Sequence, residues 1–269
     1  MQDLLFEIGV EELPSGYIEP ALTQLESGLR RRLEELRLGV EEVRTVATPR
    51  RLTLWAGGVA QRQAPVSEEV VGPPAHVAYD KDGNPTRAAL GFARAQGVDP
   101  GTLEVQDSGK GPYVVALVEH EGREAMELLP SVLSELVREI SFPKSMRWPM
   151  PPAGEDGGGQ QLTFARPVRR LTALFGAEVV PVEIAGLEAD RLTCGHPFLC
   201  QGDIPLQDAS FDGYCKKLEK AFVIADCEER RSVIRRQAQE METEHEKVDI
   251  SEDLLDEVAG LVEYPCVRA

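Results

Sequence analysis

Asp3-Leu-Leu-Phe-Glu-Ile-Gly-Val10 is a short apolar run that ends at Gly9 and at the turn Glu11-Glu12-Leu13-Pro14, and it reads as a buried strand. A helix is predicted to follow at once. Across residues 16–38 the apolar positions Ile18, Leu22, Leu25, Leu29, Leu33 and Leu36 recur at helical spacing, and Gly39 stands where a helix end is commonly closed. Residues 41–47 and 51–60 then read as two strands joined at Thr48-Pro49-Arg50-Arg51, because proline lacks the N–H that a ladder needs. Strand, helix and strand pair in that order predict an α+β protein with mixed sheets.

Further along, Val71-Gly72-Pro73-Pro74 interrupts the pattern. The turn at 80–85 leads into a helix over 86–96, capped by Thr86 or Asn84. Residues 103–106 and 112–119 predict a hairpin, so a small helical insertion is expected at about 73–108. A helix over 124–140 carries Pro130, which places its regular start there. Residues 149–161, with three prolines and four glycines, read as a flexible surface loop. A second strand pair is expected at 169–175 and 178–184, with 192–196 as a possible third member, completing an N-terminal domain of residues 1–206. Residues 207–269 are expected to be mainly helical: helices at 211–220, 228–246 and 251–262, and a short strand at 221–225. The apolar side of the last helix needs a partner, which points to a chain that continues into further domains.

The 269 residues, 42% hydrophobic, suffice for one large core or two modest ones. No apolar run approaches the roughly 20 residues of a membrane helix, and the start lacks a signal-peptide layout, so a cytoplasmic protein with no membrane partner is expected. Five cysteines, all between 194 and 266, are odd in number and read as free thiols of a reducing compartment. The net charge of −17 repels polyanions at long range, so nucleic acid would have to be met by a local basic face.

Catalytic signatures fail in turn. The sequence has no P-loop, nucleophile-elbow serine or paired-histidine zinc helix. Asp80, Asp82 and Asn84 open like a calcium loop, but Gly91 stands where the bidentate Glu belongs. Cys194, His196 and Cys200 lie close together without the two tight pairs of common zinc sites, so no metal is assigned. Glu11 and Glu12 follow a strand, yet adjacent turn residues usually point apart, and no catalytic pair is assigned.

Two basic blocks stand out: Ser141-Phe-Pro-Lys-Ser-Met-Arg-Trp148 and Phe164-Ala-Arg-Pro-Val-Arg-Arg170. Lys144, Arg147, Arg166, Arg169 and Arg170, with Arg50 and Arg51 at their loop edge, would contact phosphates. Trp148 and Phe164 would stack on unpaired bases, as single-stranded RNA is held. Equally, the aromatics are core residues and the arginines pair with acidic side chains.

Seven blocks read together change the weighting: Phe6-Glu-Ile-Gly-Val-Glu-Glu-Leu-Pro14, Thr48-Pro-Arg-Arg-Leu52, Gly91-Phe-Ala-Arg94, Pro143-Lys-Ser-Met-Arg-Trp148, Phe164-Ala-Arg-Pro-Val168, Val223-Ile-Ala-Asp226 with Glu229-Arg230, and Leu255-Asp-Glu-Val-Ala-Gly-Leu-Val-Glu-Tyr-Pro265. In that order they resemble the beta subunit of the heterotetrameric bacterial glycyl-tRNA synthetase, over essentially the whole chain. The family's beta subunit is much longer, so the likeness is to its N-terminal portion, without the HD-type and anticodon-binding domains.

The resemblance implies a non-catalytic tRNA-binding and assembly portion of a glycine–tRNA ligase. Its partners would be the alpha subunit, the tRNA for glycine and the remainder of the beta subunit. The alpha subunit would carry the class II active site, so ATP and Mg would be used there and no cofactor would bind this fragment. A protein-interaction scaffold that docks the alpha subunit or the rest of beta, without touching RNA, is the alternative. Two departures from the family pattern are a longer, Gly-rich connector at 150–161 and Arg170, where an aromatic or neutral residue is expected.

Overall fold

The computed structural model describes residues 1–107, 111–149, 161–242 and 248–268. The chain divides into two compact units: Met1–Gln61 with Glu124–Ala269, and Arg62–Arg123. In chain order the elements are β1 (Gln2–Val10), α1 (Ser15–Glu35), β2 (Glu42–Thr48), β3 (Arg51–Val59), β4 (Val66–Pro74), α2 (Ala75–Ala78), α3 (Arg87–Gln96), β5 (Glu104–Asp107) and β6 (Pro112–His120). After them come α4 (Ala125–Glu139), β7 (Met146–Pro149), β8 (Gln161–Phe164), β9 (Val168–Phe175), β10 (Glu178–Val179), β11 (Glu183–Ile184), β12 (Leu187–Asp190), β13 (Leu192–Cys194) and β14 (Asp203–Pro205). Three helices follow: α5 (Phe211–Lys220), α6 (Cys227–Gln239) and α7 (Glu252–Ala259).

The first unit is organised by β1, which lies between β3 and β9, antiparallel to both, in a mixed sheet ordered β11-β12-β9-β1-β3-β2, with β10 also on β9. Alternation divides β1 between two layers. Leu4, Phe6, Ile8 and Val10 join the buried faces of α1 and α4 in one core. Leu5 points the other way, into a smaller core with Val46, Leu174, Leu206, Tyr214 and Leu218. A strand buried on both faces explains why the sequence there is nearly continuous in apolar residues.

The second unit is a three-stranded antiparallel sheet, β4-β6-β5, whose small core is Ala78, Ala89, Ala93, Leu103, Val114 and Ala116. It runs wider than the insertion expected at about 73–108 and is built on a sheet as well as helices. Val71-Gly72-Pro73-Pro74, expected as a break, is the end of β4. The strand lies at the sheet edge and its register shifts between Val71 and Pro74, which is where proline is tolerated. Asp80 Oδ1 accepts from the N–H groups of Asp82 and Asn84 at 2.9 and 2.8 Å, so the calcium-like spacing serves a turn.

Several local readings change. The left-handed residue after α1 is Arg37, at φ 54°, two positions before Gly39. Helix α4 starts at Ala125 and runs through Pro130, because its buried row Leu128, Leu129, Val132, Leu133 holds the helix against the core. Residues 192–196 do not join β9: β13 pairs with β14, and the strand beside β9 is β12, parallel to it. The strand expected at 221–225 is an irregular segment after α5, with Phe222 at φ 60° and Val223 N–H returned to Leu218 O at 2.9 Å. Residues 150–160 of the expected loop and 243–246 of the expected helix lie outside the described residues. The loop's flanks form a hairpin, β7 against β8.

Past residue 207, Asp226 caps α6 and Ser251 caps α7, each side chain accepting backbone N–H bonds of its helix's first turn. Arg230, 1% exposed, donates to Ile224 O, Ala225 O and Ala259 O, tying the start of α6 to the end of α7. Ile234, Leu255 and Ala259 pack between the two helices, while Leu254 and Leu261 are exposed. Among the described residues no helix is long and apolar enough to cross a membrane.

Candidate functional site

Register brings the site together. On the β1 face that carries Leu5, the next outward positions are Glu7 and Gly9. Glu7 lies between Thr53 on β3 and Thr172 on β9, and Gly9 lies between Arg51 and Arg170. Two guanidinium-bearing residues therefore stand astride a position with no side chain. A Cβ at Gly9 would sit 3.1 Å from Arg170 Cβ, so glycine keeps the floor between them open.

Above that floor is a cleft of about 340 Å³, bounded by Arg50, Arg51, Arg169, Arg170, Glu7 and Glu11, with the loop from Cys194 to Gly202 and Glu263 completing its wall. Its inner side is a buried polar lattice. Arg51, 2% exposed, lies 3.5 Å from Glu7 Oε2 and 3.2 Å from Glu263 Oε1, and its Nη1 donates to Cys194 O at 2.9 Å. Thr193 Oγ1 donates to Glu7 at 2.8 Å, Tyr214 OH donates to Glu7 Oε2 at 2.5 Å, and Thr48 Oγ1 donates to Glu263 Oε1 at 2.6 Å.

Burial opposes the Arg51 charge, but Glu7 foremost, then Tyr214 and Glu263, outweigh it and hold its pKa above the ordinary value. Tyr214 keeps its proton well above the usual phenol range because it is buried and because the Glu7 charge disfavours a second anion beside it. Three polar atoms at this place, all shielded from solvent, have no hydrogen-bond partner: Arg51 Nε, Arg170 Nη1 and Glu263 Oε2.

The residues singled out from sequence separate into groups. Arg51, expected at a loop edge in contact with phosphate, is corrected: it is an internal ion-pair residue, since the strand that starts at position 51 turns its side chain into the sheet's second layer. Arg50 pairs with Glu12 at 2.6 Å, Arg169 with Glu11 at 2.8 Å and Arg170 with Asp203 at 2.8 Å, all around the cleft. Arg166 Nε donates to Glu12 O at 3.0 Å from an exposed position.

Trp148 is half-buried against the main core and donates its indole N–H to Phe164 O at 3.0 Å, while Phe164 is fully buried. Neither ring is a free stacking platform. Phe142 packs edge-on to Phe164, with ring centroids 4.8 Å apart. Lys144 and Arg147 are exposed and make no ion pair with the described residues. Arg147 lies opposite Thr163 in the β7–β8 hairpin, on the face away from the buried Leu162 and Phe164. Lys144 stands two residues before β7 and Arg166 two residues after β8, so these cations flank the hairpin strand that carries Arg147.

Thr193 and Tyr214 belong to no motif, while Glu7, Thr48 and Glu263 fall inside the quoted blocks without being singled out as site residues. One signal was visible: Glu7 is a lone charge within Leu4-Leu5-Phe6-Glu7-Ile8, a strand otherwise apolar on both faces, and such a residue needs a buried counter-charge. Among the described residues no group of three or more His, Cys, Asp or Glu side chains is placed to hold a metal ion. Cys194 and Cys200 line the cleft as free thiols.

A family model described as glycyl-tRNA synthetase beta subunit matches residues 4–269. Proteins named glycine–tRNA ligase beta subunit are 42% identical to it in Desulforamulus reducens, over 98% of this chain and 36% of the relative, and 42% identical in Moorella thermoacetica, over 100% and 37%. The Clostridioides difficile protein of the same name is 37% identical over 97% of this chain and 37% of its own length. The chain belongs to the glycyl-tRNA synthetase beta subunit family. It spans little more than a third of the length of these relatives.

Proposed function

We propose that this chain is a tRNA-handling and assembly portion of a cytoplasmic glycine–tRNA ligase. Its partners are an alpha subunit, the tRNA for glycine and the rest of a beta subunit. ATP and Mg act at the alpha subunit, and this chain holds acceptor-side RNA while adenylation and transfer proceed there. The observation that carries the reading is the Lys144, Arg147 and Arg166 group: three exposed cations on or within two residues of the β7–β8 strands, two of them without ion pairs among the described residues, in a chain of net charge −17. Cations left uncompensated amid such an acidic surface are suited to phosphate.

The test is charge reversal in the assembled enzyme, Lys144→Glu with Arg147→Glu. Expected are weaker tRNA binding, a salt slope shallower by about one per lost phosphate contact, and unchanged adenylate formation. Unaltered tRNA affinity would reject the assignment.

A second reading has its own support. Arg50, Arg169 and Arg170 are matched with carboxylates, and Phe198, Leu199, Leu254 and Leu261 are exposed apolar residues. That combination suits a protein-docking scaffold. Capture of the alpha subunit without a tRNA gel shift at low salt is the outcome this reading requires.

A further inference from the structure

The segment that carries Lys144 and Arg147 is fastened at its root by two side chains of α1. Gln24 Oε1 accepts the N–H of Ser141 at 2.8 Å, and Gln24 Nε2 donates to the C=O of the same residue at 3.0 Å. One side-chain amide thus takes both main-chain groups of Ser141, at a sequence separation of 117. Nε2 also donates to Pro20 O at 3.0 Å, within α1. With two carbonyl oxygens at one end of the amide and an N–H at the other, a single orientation of the side chain satisfies all three bonds. Helix α4 does not hold Ser141 in this way: its C-cap, Ile140, has left helical backbone at ψ 119°, so the chain there has departed from that helix's ladder.

Tyr17 lies about two helical turns before Gln24 on the same face of α1. Its ring stacks on Phe142, with centroids 5.9 Å apart and planes inclined at 27°, and Phe142 meets Phe164 of β8 edge-on. The helix therefore grips two successive residues, Ser141 by hydrogen bonds and Phe142 by its ring. Pro143 follows, and a residue before proline is confined to extended backbone, so the chain leaves the grip in a set direction. Met146 then opens β7, which is paired to β8. Lys144 stands in the short span from Pro143 to Ser145 between these two anchors, and Arg147 is the second residue of β7.

We infer that Gln24 is a positioning residue for the RNA-facing cations: it touches no phosphate itself, and by holding Ser141 it presents Lys144 and Arg147 in place before RNA arrives. The inference rests on the tRNA-handling reading and adds to it the residue that aims the contact. A cation contributes to binding in proportion to how little of its surroundings must be ordered when the phosphate comes. Freeing the root of so short a span moves that ordering into the binding step, and the ordering of one backbone residue is enough to weaken binding about tenfold.

The experiment measures tRNA affinity of the assembled enzyme at fixed salt. The proteins compared are wild type, Gln24→Met, Gln24→Glu, the charge reversal Lys144→Glu with Arg147→Glu, and that reversal combined with Gln24→Met. Methionine keeps the length and helix preference of glutamine and removes all three bonds. Expected for Gln24→Met is tRNA binding about tenfold weaker, with faster amide exchange at residues 140–145. In the charge-reversed background the same substitution is expected to change affinity by less than about twofold, because a residue that acts through Lys144 and Arg147 has nothing left to aim.

Gln24→Glu adds a pH profile. Its carboxylate offers no donor to Ser141 O, whereas a protonated carboxyl carries one O–H and one acceptor in the layout of the amide. Its deficit relative to wild type is expected to shrink as pH falls from about 8 towards about 5, nearing the ordinary glutamate value of about 4.3, while the deficit of Gln24→Met stays constant. Should Gln24→Met melt below the assay temperature, Gln24→Glu, read against its own low-pH state, carries the test.

Equal affinity of wild type and Gln24→Met, an undiminished effect of Gln24→Met in the charge-reversed background, or a Gln24→Glu deficit indifferent to pH overturns the inference. Where charge reversal weakens tRNA binding and Gln24→Met does not, the positioning role alone falls. Where charge reversal itself leaves affinity intact, the Lys144 and Arg147 assignment falls and takes the positioning role with it.

Discussion

Arg51 and Glu263 meet inside the protein, Nη2 to Oε1 at 3.2 Å, across 212 positions of sequence. The contact fixes the segment after α7 to the first residue of β3, and Thr48 adds a second bond to the same carboxylate oxygen. Removing one member of a buried pair strands the other. Glu263→Ala is therefore expected to destabilise by about 3–5 kcal/mol, and Arg51→Ala by at least as much, because it strands Glu7 as well. Urea unfolding followed by circular dichroism measures both; a change below about 1 kcal/mol, the scale of an exposed pair, would contradict the lattice.

Tyr214 supplies a pH dependence. Its folded-state pKa is raised, by burial first and then by the Glu7 charge, above the unfolded value of about 10. Below that pH both states carry the proton and stability is complete. Above it the unfolded state sheds a proton that the folded state keeps, so stability falls as pH rises. Tyr214→Phe is expected to lose about 1.5–3 kcal/mol at neutral pH, the worth of a hydrogen bond to a charged group, and to flatten the decline above pH ~10. Identical slopes in the two proteins would remove Tyr214 from this role.

Cys215 is expected to be slow to alkylate. Burial pushes its thiol up to about 11, helped by Asp212, Asp226 and Glu229. Only the thiolate attacks, so at pH ~8 its reaction with iodoacetamide should run on the order of 100-fold slower than that of a free cysteine. Mass spectrometry of time-resolved labelling gives the rate, and near-equal rates would show the thiol to be less shielded.

In the second unit, Gly122 carries a tight approach. A Cβ there would lie 2.0 Å from Gln63 O, a backbone atom that cannot swing aside. Gly122→Ala is expected to cost about 1–3 kcal/mol, the range of overpacking, and to raise the protease sensitivity of residues 62–123 above that of the first unit. Uniform sensitivity across both units would refute the local origin of the effect.

What the chain determines by itself is local. The apolar run of β1, the helical spacing of α1, the proline turn between β2 and β3, and the caps Thr86 and Ser251 are each set by neighbours a few residues apart, and each is formed. The seven ordered motifs carry the family for the same reason: they are stretches of contiguous residues.

Tertiary structure decided the rest. Arg50 and Arg51 are adjacent and chemically identical, yet one pairs at the rim with Glu12 and the other is sealed against Glu7 and Glu263. Arg50 ends the turn while Arg51 opens β3 opposite Gly9 of β1, and only that register says which of the two is sealed inside. Trp148 and Phe164, readable as stacking rings, were drawn into the core because the hairpin they close lays its apolar face on it. Glu263 reaches Arg51 only when the chain has folded back across a sequence separation of 212. A cleft made of residues from β1, β3, β9, a loop and the segment after α7 has no linear signature, because its donors and acceptors become neighbours only through packing.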